Sequence, residues 1–273
     1  MKVFRLIFAA FVVMFGLTGC LQMEQVVKLK PDGSGTVEET VVLSKAALAT
    51  MEQMVSGLGN AAGDKKKEGA SAVPDLYDEA KLKAAAAKMG DGVTFVSAKR
   101  IDNEQGKGFT AIYAFTDINQ LKLDQNPGEA LPDTGGPKPA GNKKEPVTFH
   151  FEKGSPALLT LKMPAPEFKP KPKDQPEGME EMAMQMMKQM FKDMHVALAV
   201  EVEGTISETN AAYHEGSRVT LMDMDFNKVM ADPEKFKALA KANPQSLQEA
   251  KALIKGLDGV KIETAPEVTI KFQ

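Results

Sequence analysis

One cysteine serves all 273 residues, and it stands at position 20, directly behind an apolar run. A chain with a single thiol has no disulfide framework and no multi-cysteine metal site. Whatever folds here must be held by apolar burial and backbone hydrogen bonds. The surroundings of that cysteine say more. Lys2 and Arg5 make a short basic start, and residues 6–17 (LIFAAFVVMFGL) are uninterruptedly apolar. A spanning helix needs about 20 such residues, so this run is too short to cross a bilayer alone and has the proportions of a secretory leader. Leu17, Thr18, Gly19 and Cys20 follow at once: an aliphatic residue, two small ones, then a thiol.

That quartet resembles the lipobox of bacterial lipoproteins. The resemblance implies cleavage before Cys20, a diacylglycerol thioether on its sulfur and acylation of the new amine. Thiolate chemistry suits the thioether, and small residues suit the protease channel. The expected mature chain is 254 residues long. Loss of Lys2 and Arg5 with the leader takes the net charge from −3 to −5. A net-acidic body has no general attraction to anionic headgroups or nucleic acid, so the acyl chains on Cys20 are expected to hold it at a membrane. The expected location is the cell envelope, facing the periplasm or exterior. Leu21 rather than aspartate after the cysteine favours the outer membrane in a host with two.

The mature sequence alternates strand-like runs with turn chemistry. Residues 23–30 and 36–43 flank Pro31-Asp32-Gly33-Ser34-Gly35 and read as a hairpin. This Gly-rich turn lacks the strand-to-helix context and lysine of a phosphate-binding loop. Ser44 reads as the N-cap of a helix over 45–55, and 75–89 as a second helix ended by Gly90-Asp91-Gly92. Runs 93–101 and 108–115 form a second expected hairpin around Asn103, and 147–151 with 157–163 a third. Residues 196–206 and 217–224 read as long paired strands. Asp232-Pro233 and Asn243-Pro244 each read as helix starts, and 260–263 with 268–272 as short closing strands. Stretches 57–73, 126–146 and 164–178 are rich in Gly, Pro and Lys and are expected to be flexible insertions. These elements predict an α+β fold: an antiparallel sheet of successive hairpins packed against helices, with a C-terminal helical segment. The expected organisation is a leader over 1–19, an anchored domain over 20–225, and residues 226–273 packed on that domain.

Seven of the 17 methionines lie in residues 179–194. At helical spacing they cover about 200° of the wheel, wider than a simple core stripe. Three readings stay open. The helix is buried on one face and filled with an adaptable residue. Or Met182, Met186, Met187, Met190, Phe191 and Met194 form a pliable wall for an apolar ligand or partner. Or thioethers, with Met194 and His195, hold copper(I). Asp223 and Asp225 share one side of a strand and are a solvated strand end or a cation site. Glu208, Thr209 and Asn210 form a polar cluster whose side chains are expected to bond to backbone. His150, His195 and His214 have no metal-ligand spacing, and no serine occupies a nucleophile elbow.

The post-cysteine hairpin, Gly92-Val93, Tyr113-Ala114-Phe115-Thr116-Asp117-Ile118 and Gly204-Thr205-Ile206 through Thr209-Asn210-Ala211 together resemble a loose family of bacterial lipoproteins. That family is related to the mycobacterial LppM-like domain. The resemblance covers residues 21–225 and rests on turn and strand-end residues. It implies an α+β unit associated with glycolipid, hence a lipid-facing role. No catalytic or binding residue carries over. The expected function is therefore a non-enzymatic, lipid-anchored envelope lipoprotein binding a lipid, another apolar ligand or a protein partner. The alternatives are a purely structural or assembly lipoprotein, and an enzyme with a dispersed site joining His214 to Asp223 or Asp225. No cofactor is expected.

Overall fold

The computed structural model describes residues 21–49, 75–124, 145–164 and 191–273, together with residues 185 and 188. The three expected flexible insertions fall, but for their margins, outside these. Within them the chain is built from β1 (Leu21–Leu29), β2 (Gly35–Ser44), α1 (Glu79–Ala86), β3 (Thr94–Asp102), β4 (Gly106–Phe115), β5 (Lys122–Leu123), β6 (Val147–Glu152) and β7 (Ala157–Lys162). It continues with β8 (His195–Val202), β9 (Ile206–Thr209), β10 (His214–Glu215), β11 (Arg218–Asp225), α2 (Phe226–Ala231), α3 (Pro233–Lys241), α4 (Leu247–Ile254), β12 (Val260–Ile262) and β13 (Glu267–Phe272).

The first sheet has the order β10-β11-β8-β1-β2-β4-β3, with β12 also paired to β11. The second has the order β5-β6-β7-β13-β9. Local chemistry sets the hairpins. Between β1 and β2, the Asp32 carboxylate accepts from the Ser34 backbone N–H and hydroxyl at 2.9 and 2.7 Å. Gly33 there adopts φ +91° and lies against the Phe151 ring, where a Cβ would come within 2.9 Å of Cδ1. Between β3 and β4, Asn103 accepts from the N–H groups of Gln105 and Gly106. Ser44 accepts from Ala47 as the expected cap of the helical residues 45–49, and Asp232 caps α3 ahead of Pro233.

The expectation of an antiparallel sheet packed on helices with a helical C-terminal segment is corrected on three points. The described helices are short, six to nine residues, and a second sheet, not a helical layer, completes the core. The reason is visible in β6, β7 and β13. Val147, Phe149 and Phe151, then Ala157, Leu159 and Leu161, then Val268, Ile270 and Phe272, are all buried at every second position. Period-two apolar faces need a sheet-like partner, and they join the inner face of the first sheet in one apolar cluster. Second, the sheet is not wholly antiparallel: β1 runs parallel to β8, with Gln22 opposite His195 and Leu29 opposite Val202. Third, the C-terminal strand β13 is an inner strand of the second sheet, between β7 and β9, with Val268, Ile270 and Phe272 fully buried.

The run expected as one strand over 196–206 is two. At Gly204 (φ +140°) the chain leaves the first sheet for the second, and a Cβ there would lie 2.5 Å from the Gln273 carbonyl. Thr205 and Gln273 then exchange both backbone hydrogen bonds, at 2.8 and 3.1 Å. Beyond β9 the ladder is extended by a side chain. Asn210 donates from Nδ2 to the Glu267 carbonyl at 3.0 Å and accepts at Oδ1 from the Thr269 N–H at 2.8 Å. The buried Glu263 carboxylate accepts from the N–H groups of Thr264, Ala265 and Ala212 at 2.7, 2.8 and 2.7 Å, tying the return from β12 to that connection. The last helix begins one turn later than Asn243-Pro244 implies, because Ser246 caps it by accepting from Glu249.

Two measurements check this wiring. Phe272 is the last residue of β13. Here Phe272→Ala is expected to lower stability by about 3–5 kcal/mol, as for any fully buried aromatic, read as a lower urea midpoint. Asn210→Ala is expected to cost about 1–2 kcal/mol through two lost bonds to β13. Neutral behaviour in both would mean that β13 is not an inner strand.

Candidate functional site

The parallel pairing of β1 and β8 decides which residues share one end of the first sheet. Both strands begin there, so Leu21 and Gln22, the first residues after the cysteine, lie beside His195, the first residue of β8. β11 ends there, with Asp225 opposite His195. The methionine-rich segment that runs into β8 ends there too.

Of the ligand-wall residues expected from sequence, Phe191 and Met194 are described; Met182, Met186, Met187 and Met190, like Leu17, Thr18, Gly19 and Cys20, lie outside the described residues. Phe191 stacks on Phe226, ring centroids 4.9 Å apart and 11° from parallel. Lys188 sets its ammonium 5.6 Å from the Phe236 ring centre. Asp193, at φ 60°, and Asn227 exchange two hydrogen bonds of 2.9 and 2.8 Å that fix the turn into β8. The Phe226 N–H donates to the Met194 carbonyl at 3.0 Å. The end of the segment is thus seated on the β11–α2 junction. Met194 packs partly buried against the core, whereas His195 engages Asp223 on the opposite face of the sheet. The two side chains proposed for a copper site therefore point apart.

Two ion pairs bridge the outer face around β8. His195 Nε2 lies 2.8 Å from Asp223 Oδ1. Arg218 on β11 reaches across β8 to Glu24 on β1, also at 2.8 Å. Between His195 and Glu201, the β8 residues on that face are Ala197 and Ala199, both buried, and their small side chains let the guanidinium lie across. The hydrogen bond that His195 donates to the Asp223 carboxylate is the main cause that raises the imidazole above its ordinary 6.5, against desolvation, with Asp225 and Glu24 adding to it. The same bond, aided by Lys261 and Lys228, holds the Asp223 carboxyl below its ordinary 3.8. Asp225 instead caps α2, accepting from Asn227 and Lys228. The sequence pairing of His214 with Asp223 or Asp225 is replaced by His195 with Asp223, since His214 sits exposed opposite Val219 on β10. Among the described residues no three His, Cys, Asp or Glu side chains converge on a metal position.

The His195–Asp223 pair was hidden in the sequence because it needs the β8–β11 register. Its one local sign was parity: His195 and Asp223 sit at facing ends of two long strands, and diagonal neighbours on one face are within reach. The linkage has a definite sign. His195, raised in the fold, contributes stability that is full below pH 6.5 and lost as pH climbs through its raised value; Asp223, lowered, contributes above pH 3.8. Asp223→Asn is therefore expected to lower stability most between about pH 5 and 6.5, by about 1 kcal/mol for a partly exposed pair, read as a lower melting temperature, with the deficit shrinking by about pH 9. A pH-independent deficit would show that the pair is not ionic.

No protein-family model and no curated protein sequence matches the chain. Among solved structures it is similar to the folded domain of LppM from Mycobacterium tuberculosis, determined by NMR. The identity is 11% and the TM-score 0.33, with 96% of this chain and 95% of that chain covered. This is a distant likeness in fold.

Proposed function

We propose that this protein is a non-enzymatic, lipid-anchored lipoprotein of the bacterial cell envelope, whose β domain binds a lipid or other apolar ligand, or a protein partner. The observation that carries the reading is the junction between Leu17-Thr18-Gly19-Cys20 and β1. A lipobox followed at once by an inner strand of the larger sheet would tether the domain by its own core, with no spacer. In that geometry the parallel β1–β8 pair sets the acyl-bearing end beside the outlet of the methionine-rich segment. Thioether side chains adapt to irregular apolar shapes, so a chain of lipid or an apolar helix is the occupant that a methionine-rich sequence suits.

Acylation holds such a domain at a membrane irrespective of its net-acidic surface, because two or more chains make binding stable where one is marginal. The reading requires no cofactor and no nucleic acid. The periplasmic or exterior side follows from export, and Leu21 after the cysteine favours the outer of two membranes.

Metabolic labelling with an alkynyl fatty acid is expected to mark the wild-type chain and to be lost in Cys20→Ala, which should also move from the membrane to the soluble fraction. Labelling that persists in Cys20→Ala would overturn the anchor. Mass spectrometry of organic extracts of the purified Cys20→Ala chain then tests the ligand: a stoichiometric lipid supports it. An empty domain, with one envelope protein trapped by crosslinking in cells, would leave only a structural role.

A further inference from the structure

The parallel pair parts at its carboxyl ends. β1 turns through residues 31–34 into β2, while β8 gives way to the second sheet at Gly204. The last bond across the junction runs from the Glu203 N–H to the Leu29 carbonyl, at 2.7 Å. A cleft of about 320 Å³ opens there. Its walls are Lys28 and Lys30 at the end of β1, Thr36 on β2, and Glu201 and Glu203 at the end of β8. That volume is at the small end of ligand clefts, roughly 300–1,000 Å³, and suits a molecule of dipeptide size. Leu29 stands eight residues along β1 from Leu21, roughly 26 Å at 3.3 Å per residue. The cleft is therefore at the opposite end of the sheet from the terminus that Cys20 would anchor.

Lys28 and Glu201 are opposite each other in the parallel register, and Lys30 and Glu203 follow two residues further on. Cations line one wall and carboxylates the other. Ion pairs across the cleft would be the ordinary outcome, but each neighbour of the right sign is committed elsewhere. Lys28 gives its ammonium to Glu38 at 2.6 Å. Arg218, opposite Glu201 from the β11 side, gives its guanidinium to Glu24 at 2.8 Å. Asp32, two residues after Lys30, spends its carboxylate on the Ser34 N–H and hydroxyl. Among the described residues Glu201, Glu203 and Lys30 are left with no ion pair and no side-chain hydrogen bond.

The ligand follows from donor and acceptor counts. Carboxylates only accept and an ammonium only donates. A simple cation would serve Glu201 and Glu203 and leave Lys30 unserved; a simple anion would do the reverse. One molecule carrying both charges serves both walls. We infer that this cleft is a binding site for a small dipolar ligand with a primary ammonium and, a few bonds away, an anionic oxygen group. The ammonium sits on Glu201 and Glu203, the anionic group on Lys30 and the Thr36 hydroxyl. Both the ends of a short peptide and an aminoalkyl phosphate headgroup have this chemistry. The inference is independent of the apolar-ligand reading, which concerns the other end of the sheet.

Titration calorimetry on the full acylated chain in detergent micelles at low salt tests it. Dialanine and phosphoethanolamine represent the two sources; ethylammonium and acetate carry one charge each. At least one dipolar probe is expected to bind about tenfold tighter than either single-charge probe, the worth of one further charged hydrogen bond. Preference for dialanine supports the site as a peptide-end receptor, and preference for phosphoethanolamine supports it as a headgroup receptor. Glu201→Gln and Lys30→Gln are each expected to weaken the preferred probe about tenfold, with the melting temperature unchanged because neither side chain has a partner to lose. No heat from any probe at about 10 mM, single-charge probes as tight as the dipolar ones, or affinities unchanged in both variants would overturn the site. None of these results would touch the Cys20 anchor or the apolar-ligand reading.

Discussion

The parallel contact between β1 and β8 is the constraint on which the rest of the architecture depends. Antiparallel neighbours close with a few residues, but parallel ones need a crossover. Between Leu29 and His195 the chain first adds β2, β4 and β3 on one side of β1, then leaves the sheet altogether. The material it lays down on the way, β6 and β7, cannot pair with the first sheet without crossing it. It forms a hairpin whose apolar face covers the sheet instead. After β8 the chain must return to finish both layers, and it does so by alternation: β9 to the second, β10 and β11 to the first, β12 to the first and β13 to the second. Gly204 and the Thr205–Gln273 bond pair sit where one of these transfers occurs. A core assembled from such distant segments has few local substitutes for any one strand, which is why so much depends on the last six residues of β13.

The same pairing sorts polar groups by face. On the outer face, charges stand in complementary pairs: Lys28 with Glu38 at 2.6 Å, Arg218 with Glu24, His195 with Asp223. Each is partly exposed and worth little by itself, yet one of them, Arg218 with Glu24, spans the parallel junction between β8 and β1, where the ladder is intrinsically weaker than an antiparallel one. Thr40 and Thr110 add a 3.0 Å bond between β2 and β4 on that side. The side chains there read as a register device: slipping β8 by one residue would carry His195 and the alanines to the core side and break both bridges together.

What the sequence disclosed and what it hid divide along sequence separation. Asp32-Gly33, Asn103, Ser44 and Asp232 act within four residues of themselves, and the hairpins and caps expected from them are the ones observed. Asn210 was legible for a related reason, since a side chain that replaces backbone leaves a polar residue at a strand end. The partner of β13 was not legible, because Val268, Ile270 and Phe272 have the alternation of any half-buried strand and nothing nearby says which sheet they enter. Helices were over-weighted for the same cause. A cluster of capped helical runs after Asp225 looks like a layer of its own, yet α2, α3 and α4 total little buried apolar surface beside that of β6, β7 and β13. In the candidate site, Phe191 and Met194 were marked by composition alone, while His195 with Asp223 required the register of two strands 28 residues apart.

The contrast between the two faces bears on why Glu39 persists where it is. Burial raises its carboxyl to about 7, so the domain is most stable with Glu39 protonated and loses stability as pH rises from about 4.5 through 7. The outer face shows the ordinary remedy, an opposed cation, and the inner face lacks it among the described residues. Leucine or valine at position 39 would continue the Val37 and Val41 stripe and remove the penalty outright.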